Sequence, residues 1–171
     1  HAQPVAGGRS VRLVVPFPPG GAVDITSRLF AERLGPTLGQ TVVVENRAGA
    51  GGIIGAQAVA RAKNDGYTLL MGNIGPNAIN YSLYKELPYK ASDFAPITQV
   101  ILVPNVLVVN ASSPYKSAAE LVAAMKKDPR VATVGSSGTG QSPHMSAEMF
   151  KQRAGIEAEH IPYKGAGPAV A

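Results

Sequence analysis

The apolar positions of this chain fall into short blocks separated by glycine- and proline-rich turns, and the blocks alternate between strand and helix periods. Val11-Arg12-Leu13-Val14-Val15 is a β-branched run that predicts a strand, ending in Pro16-Phe17-Pro18-Pro19-Gly20-Gly21. Asp24 then stands as an N-cap for a helix whose apolar positions Ile25, Leu29, Phe30 and Leu34 recur at helical spacing, with Gly35-Pro36 weakening its end. Val42 to Glu45 predicts a second strand, Ala48 to Gly52 a flexible turn, and the residues to about Lys63 an alanine-rich helix. Asn64-Asp65-Gly66 turns the chain into a third strand, Tyr67 to Met71. Gly72 to Asn77 then leads into a short helix with Pro76 in its first turn.

Residues 84 to 96 read as loop, and Ile97 to Val103 and Val106 to Val109 as strands around a Pro104-Asn105 break. Ser117-Ala118-Ala119-Glu120 is a capping box opening a helix with Leu121, Val122 and Met125 on one face. Val131 to Val134 predicts a strand, Ser142-Pro143 caps and starts a helix to about Ala154, and Ala158 to Pro162 predicts a last strand. Strands alternating with helices predict parallel sheets of the α/β class. The proline-interrupted stretch at 97–109 is the expected seam, with a first α/β domain over residues 1–103 and the start of a second over 104–171.

Composition narrows what such a chain can do. Its 171 residues suit one domain or two small ones, and the absence of cysteine excludes disulfides, thiol catalysis and cysteine-ligated zinc. A net charge of +5 raises nucleic acid as a partner. The basic residues are scattered, though, with only Lys126-Lys127 adjacent, and there is no Trp to stack on bases, so no nucleic acid is expected. No apolar run approaches the ~20 residues that span a bilayer. His1-Ala2-Gln3 has the look of either an end left by signal peptidase, which fits an exported mature protein, or the remnant of a tag.

In open α/β sheets, ligands sit beyond the carboxyl ends of the strands. Phe17 to Asp24, Gly72 to Asn77 and Gly135 to His144 occupy that position. Each joins glycines that admit close backbone approach to a helix start whose unpaired N–H groups favour an anion. None carries a Lys or Arg, which suits a small carboxylate better than a polyphosphate.

The sharper motifs fail. Gln141 stands where a P-loop needs its lysine, and Ile54 where a dinucleotide fingerprint needs its third glycine. Ser137 has Gly135 before it but Thr139 where a nucleophile elbow needs glycine, and His144 has Glu148 four residues on but no second histidine to complete a metal site. No metal or cofactor is therefore expected. The plain structural readings compete throughout: Asp24 and Ser142 as helix caps, Phe17 as core, His144 as a surface histidine, the glycines of 49–55 as turn residues.

Several segments, in order, carry a family resemblance. Val14-Val15-Pro16-Phe17-Pro18-Pro19-Gly20-Gly21-Ala22-Val23-Asp24, Val42 to Gly52, Asp65 to Leu70, Val103 to Val109, Gly135 to His144 and Pro162-Tyr163-Lys164-Gly165 resemble the Bug family, the periplasmic solute receptors of tripartite tricarboxylate transporters. The resemblance implies a periplasmic-binding-protein-like fold in which two parallel-rich α/β domains close on a small carboxylate. It also implies membrane transporter subunits as partners and a periplasmic location with the signal peptide removed. Carried over residue by residue, it implies Phe17, Gly20, Gly21, Asp24, Ser136, Ser137, Thr139 and His144 as ligand-binding. Asn73 and Asn77 follow by position, and Pro76 departs from the hydroxylated residue common there. Family members continue well past Gly165, so the return crossover and the end of the second domain are expected to be missing, as in a truncated form. The open sheet edges would then favour a homo-oligomer.

Two other readings compete with a binding protein. One is a hydrolase-like enzyme acting on a small anionic metabolite, with Ser137 as nucleophile and His144 as base. The other is an oligomeric fragment that binds nothing.

Overall fold

The computed structural model of the chain describes residues 8–128, 130 and 132–171. The His1-Ala2-Gln3 end lies outside those residues, as does Val131, the expected start of a strand. In order come β1 (Val11–Val15), α1 (Ala22–Leu38), β2 (Val42–Asn46), a 3-10 turn (Ala50–Gly52), α2 (Ile53–Ala60) and β3 (Thr68–Leu70). A π-turn (Gly75–Ile79) runs into α3 (Asn80–Leu83), and a 3-10 turn (Ala91–Asp93) follows. The second half holds α4 (Ala118–Lys127), β4 (Thr133–Ser136), α5 (Ser142–Ala154), β5 (Glu159–Pro162) and α6 (Ala166–Val170). No helix among the described residues is long and apolar enough to cross a membrane.

The strands form two parallel sheets, as the α/β reading expects. β1 is central in the first, in the order β2-β1-β3, and β4 pairs with β5 in the second. Strand β1 is buried at every position except Arg12, because α1 and α2 both pack against it. Leu13, Val15, Ala31 and Met71 form the first core, flanked by Phe17, Phe30, Val44 and Leu69. Arg12 instead pairs with Glu45 on β2 at 2.8 Å. The second core is smaller, with Leu121 and Met125 of α4 against Ile156.

Several local expectations are corrected. Gly21, not Asp24, is the N-cap residue of α1, and Asp24 lies inside the first turn. The helix runs through Gly35-Pro36 and stops at Gly39, whose left-handed φ of 64° lets its N–H reach back to the last carbonyls. Helix α2 ends at Ala60, short of Lys63. Gln141 occupies the N-cap position of α5, and Ser142 is already helical. At α4, Ser117 Oγ accepts from the Glu120 N–H as expected, while the Glu120 carboxylate takes the N–H of Lys116 rather than that of Ser117. Helix α6 was not foreseen.

The largest correction concerns residues 97–109, which contain no strand. The stretch is mostly exposed, with Ile97 at 80%, Leu102 at 84% and Val106 at 76%. Val100 packs against the first core, and Asn105 Nδ2 donates to Ser146 on α5 at 2.8 Å. A strand is defined by pairing, and no strand among the described residues lies alongside this one.

Candidate ligand-binding site

The loops after β1, β2 and β3 face those after β4 and β5. A Cβ on Gly51 would lie 3.0 Å from the Thr139 carbonyl, and one on Gly165 3.7 Å from Pro18. The three segments expected at the strand ends are therefore brought to one place. Surface hollows of about 470 Å³ beside Gly35 and Gln40 and about 290 Å³ beside Gln152 and Gly155 lie elsewhere.

The β1–α1 loop is tied down by a buried carboxylate. Asp24 is 3% exposed; its carboxylate accepts from the Gly20 N–H and from Asn46 Nδ2, each at 2.9 Å, and pairs with Arg28 at 3.0 Å. Asn46 Nδ2 also donates to the Phe17 carbonyl at 3.0 Å, so one amide holds both ends of the turn. Burial alone would raise the Asp24 pKa, but hydrogen bonds from Arg28, Gly20 and Asn46 outweigh it and hold the pKa at about 2. In this structure Asp24 positions the loop and points no free oxygen outward. Phe17 is half-buried against the first core and packs on Gly52 together with Pro76.

Gly20 has a φ of 87°, which side-chain-bearing residues rarely adopt. Gly21 has an ordinary φ of −82°, and nothing stands within 4 Å of where its Cβ would be. Nothing stands within 4 Å of a Cβ on Gly20 either, so the open side of the loop is at Gly20-Gly21, next to the N–H groups of the first turn of α1, which have no intrahelical partner.

In the β3–α3 loop, Asn73 Oδ1 accepts from the Gly75 N–H at 3.0 Å, and Asn73 Nδ2 donates to Gln141 Oε1 at 3.3 Å. Asn77 Oδ1 caps the Asn73 N–H at 3.2 Å. Both asparagines thus brace the loop.

In the loop after β4, Ser136 is buried and its Oγ lies 2.7 Å from His160 Nε2. His160 stacks on His144 with ring centres 3.9 Å apart, and the Gly140 N–H donates to His144 Nδ1 at 3.1 Å. Burial first, and then the neighbouring His144, lowers the His160 pKa. Ser136 and His144 are accordingly occupied within the loop, while the half-buried Ser137 and exposed Thr139 stand at its surface. The serine–histidine contact in the structure joins Ser136 to His160 rather than Ser137 to His144. No group of three or more metal-ligating side chains occurs among the described residues.

Sequence reasoning missed Asn46, His160 and the contacts of Gln141. Only the register of β4 against β5, which sets Val134 opposite His160, brings His160 to the site, and no local spacing shows it.

Residues 26–171 match the tripartite tricarboxylate transporter family receptor. The chain belongs to this family. Protein BugT of Bordetella pertussis is 43% identical over 164 residues, covering 95% of this chain and 50% of BugT. Among solved structures, the R. palustris protein Rpa4515, with adipate, matches with a TM-score of 0.86 at 40% identity, over 94% of this chain and 54% of its own. The periplasmic binding protein BugD matches with a TM-score of 0.83 at 37% identity, over 96% and 55%. The chain spans about half the length of the curated relatives it matches. The periplasmic-binding-protein-like fold expected from its motifs is the one its structural neighbours share.

Proposed function

We propose that this chain forms the ligand-capturing part of an extracytoplasmic receptor that binds a small carboxylate and delivers it to membrane transporter subunits. Its two units, 1–103 and 104–171, would supply opposite walls of the site. The observation that carries the reading is the convergence of amide- and hydroxyl-bearing loops from both sheets, with no Lys or Arg in the segments 17–24, 72–77 and 135–144. The open side at Gly21, the Asn77 amide and the Ser137 and Thr139 hydroxyls can each donate to a carboxylate oxygen. Family membership and the adipate bound by a 40%-identical neighbour support a carboxylate as the ligand class. Binding rather than turnover fits the hydrogen-bonding of His144, whose Nδ1 is taken by the backbone. The same open strand edges can bring copies of the chain together.

Titration calorimetry with adipate and its neutral diamide tests the reading, alongside Ser137→Ala and Thr139→Val. Adipate binds stoichiometrically without being consumed, the diamide does not bind, and each variant weakens adipate about tenfold, or about 1.4 kcal/mol. Equal binding of diacid and diamide, or none of either, overturns it.

A further inference from the structure

Gln141 links the two sheets through a side chain that is only 2% exposed. Its Nε2 donates to the Gly51 carbonyl at 2.8 Å, and its Oε1 accepts from Asn73 Nδ2 at 3.3 Å. Both partners sit on loops of the first sheet, whereas the backbone of Gln141 belongs to the second. The Gln141 N–H donates to Gly138 O at 3.2 Å, and its carbonyl receives the Met145 N–H at 3.1 Å, opening α5. One residue therefore closes the turn that carries Ser137 and Thr139 and also fastens that turn to the opposite wall.

The seat for this side chain is made of missing methyl groups. A Cβ on Gly75 would lie 2.5 Å from Gln141 Nε2 and 2.6 Å from Oε1, so no other residue fits there without evicting the amide. Gly51 adopts a left-handed φ of 61°, and its Cβ would stand 3.7 Å from Nε2. Asn73 is in turn braced by the Gly75 N–H and by Asn77. A buried amide must keep its partners or lose the full cost of desolvation, so this contact has a strong preference for the joined arrangement.

We propose that Gln141 is a positioning residue that latches the Ser137/Thr139 loop onto the Gly51–Asn73–Gly75 seat and so sets the spacing of the two ligand-facing walls. The ligand-presenting consequence rests on the receptor reading; the latch itself does not.

The absence of native cysteine allows clean spin-labelling of the full chain at Arg33→Cys on α1 and Lys126→Cys on α4, both exposed. Gln141→Met preserves length without the amide, and Gly75→Ala attacks the seat from the other side. Each broadens the label-to-label distance distribution, and the double variant is no broader than Gln141→Met alone because both remove one contact. Exposed Gln152→Ala on α5 leaves the distribution unchanged. Unaltered distributions in both variants, or effects that sum, overturn the latch. In calorimetry, Gln141→Met weakens adipate about tenfold; an unchanged Kd removes the positioning role. If the unsubstituted chain binds no adipate, the receptor reading fails while the distances still decide the latch.

Discussion

The two sheets repeat one plan, a parallel strand ending in a glycine-rich loop and a helix, but they hold it together differently. In the first, β1 is hydrogen-bonded on both sides and packed by helices, and its loop is pinned by the Asp24–Arg28 ion pair and the Asn46 amide. In the second, two strands share a core of Leu121, Met125 and Ile156, and the loop is anchored by a hydroxyl on a stacked histidine pair. The first anchor keeps its charge over any ordinary pH. The second rests on His160, whose pKa is lowered by burial and by the neighbouring His144. The difference implies that the first wall is the rigid one and the second the responsive one.

Core truncation gives the largest contrast. Leu13→Ala costs about 4 kcal/mol, near the upper range for a buried leucine, because the neighbours of β1 on both sides prevent collapse. Met125→Ala costs about 2.5 kcal/mol, since α4 can settle over a two-stranded sheet. Urea unfolding measures both, and equal costs would remove the contrast. Next come the anchors. Asp24→Ala strands the Gly20 N–H and the Asn46 amide and costs about 3 kcal/mol, against about 1 kcal/mol for Ser136→Ala, compared by the same unfolding curves.

Backbone strain is smaller and divides adjacent glycines. Gly20→Ala, at a φ of 87°, costs about 1–2 kcal/mol, whereas Gly21→Ala stays within about 0.5 kcal/mol in thermal melts. Acid provides the finest separation. The lowered pKa of His160, beside His144, Glu148 and Lys151, means its stabilisation is complete above its ordinary 6.5 and fades as the pH falls below it. The contribution of Asp24 is complete above 3.8 and disappears only as the pH falls to about 2. Amide signals of Val134 and Gly135 should therefore shift in mild acid while those of Leu13 to Val15 hold; simultaneous change would refute the division.

What was legible in the sequence was local. The runs at 11–15 and 42–45 mark strands because β-branched residues fill a parallel sheet, and Ser117 marks a helix start because its hydroxyl satisfies a first-turn N–H. The motifs shared with the receptor family also marked the loops at 17–24, 72–77 and 135–144, which the fold gathers at one place. Contacts between distant segments were not legible. Asp24 reads as a cap because its type fits one, but Asn46, 22 residues away, draws its carboxylate inward. Gln141 reads as a failed phosphate-binding position because its partners lie 68 and 90 residues upstream. The apolar run at 97–109 has strand chemistry, yet composition cannot supply the neighbour a strand requires.

That run also shapes how the chain exchanges hydrogen with solvent. From Ile97 to Val109 no backbone N–H donates to another backbone group among the described residues. Those amides should take up deuterium almost as fast as in a free peptide, while β1 and β4 are protected by their ladders. An exchange profile of the chain would then show two islands of slow amides with a fast strait between them. Anything that lays a strand along 97–109 would register first as the slowing of that strait.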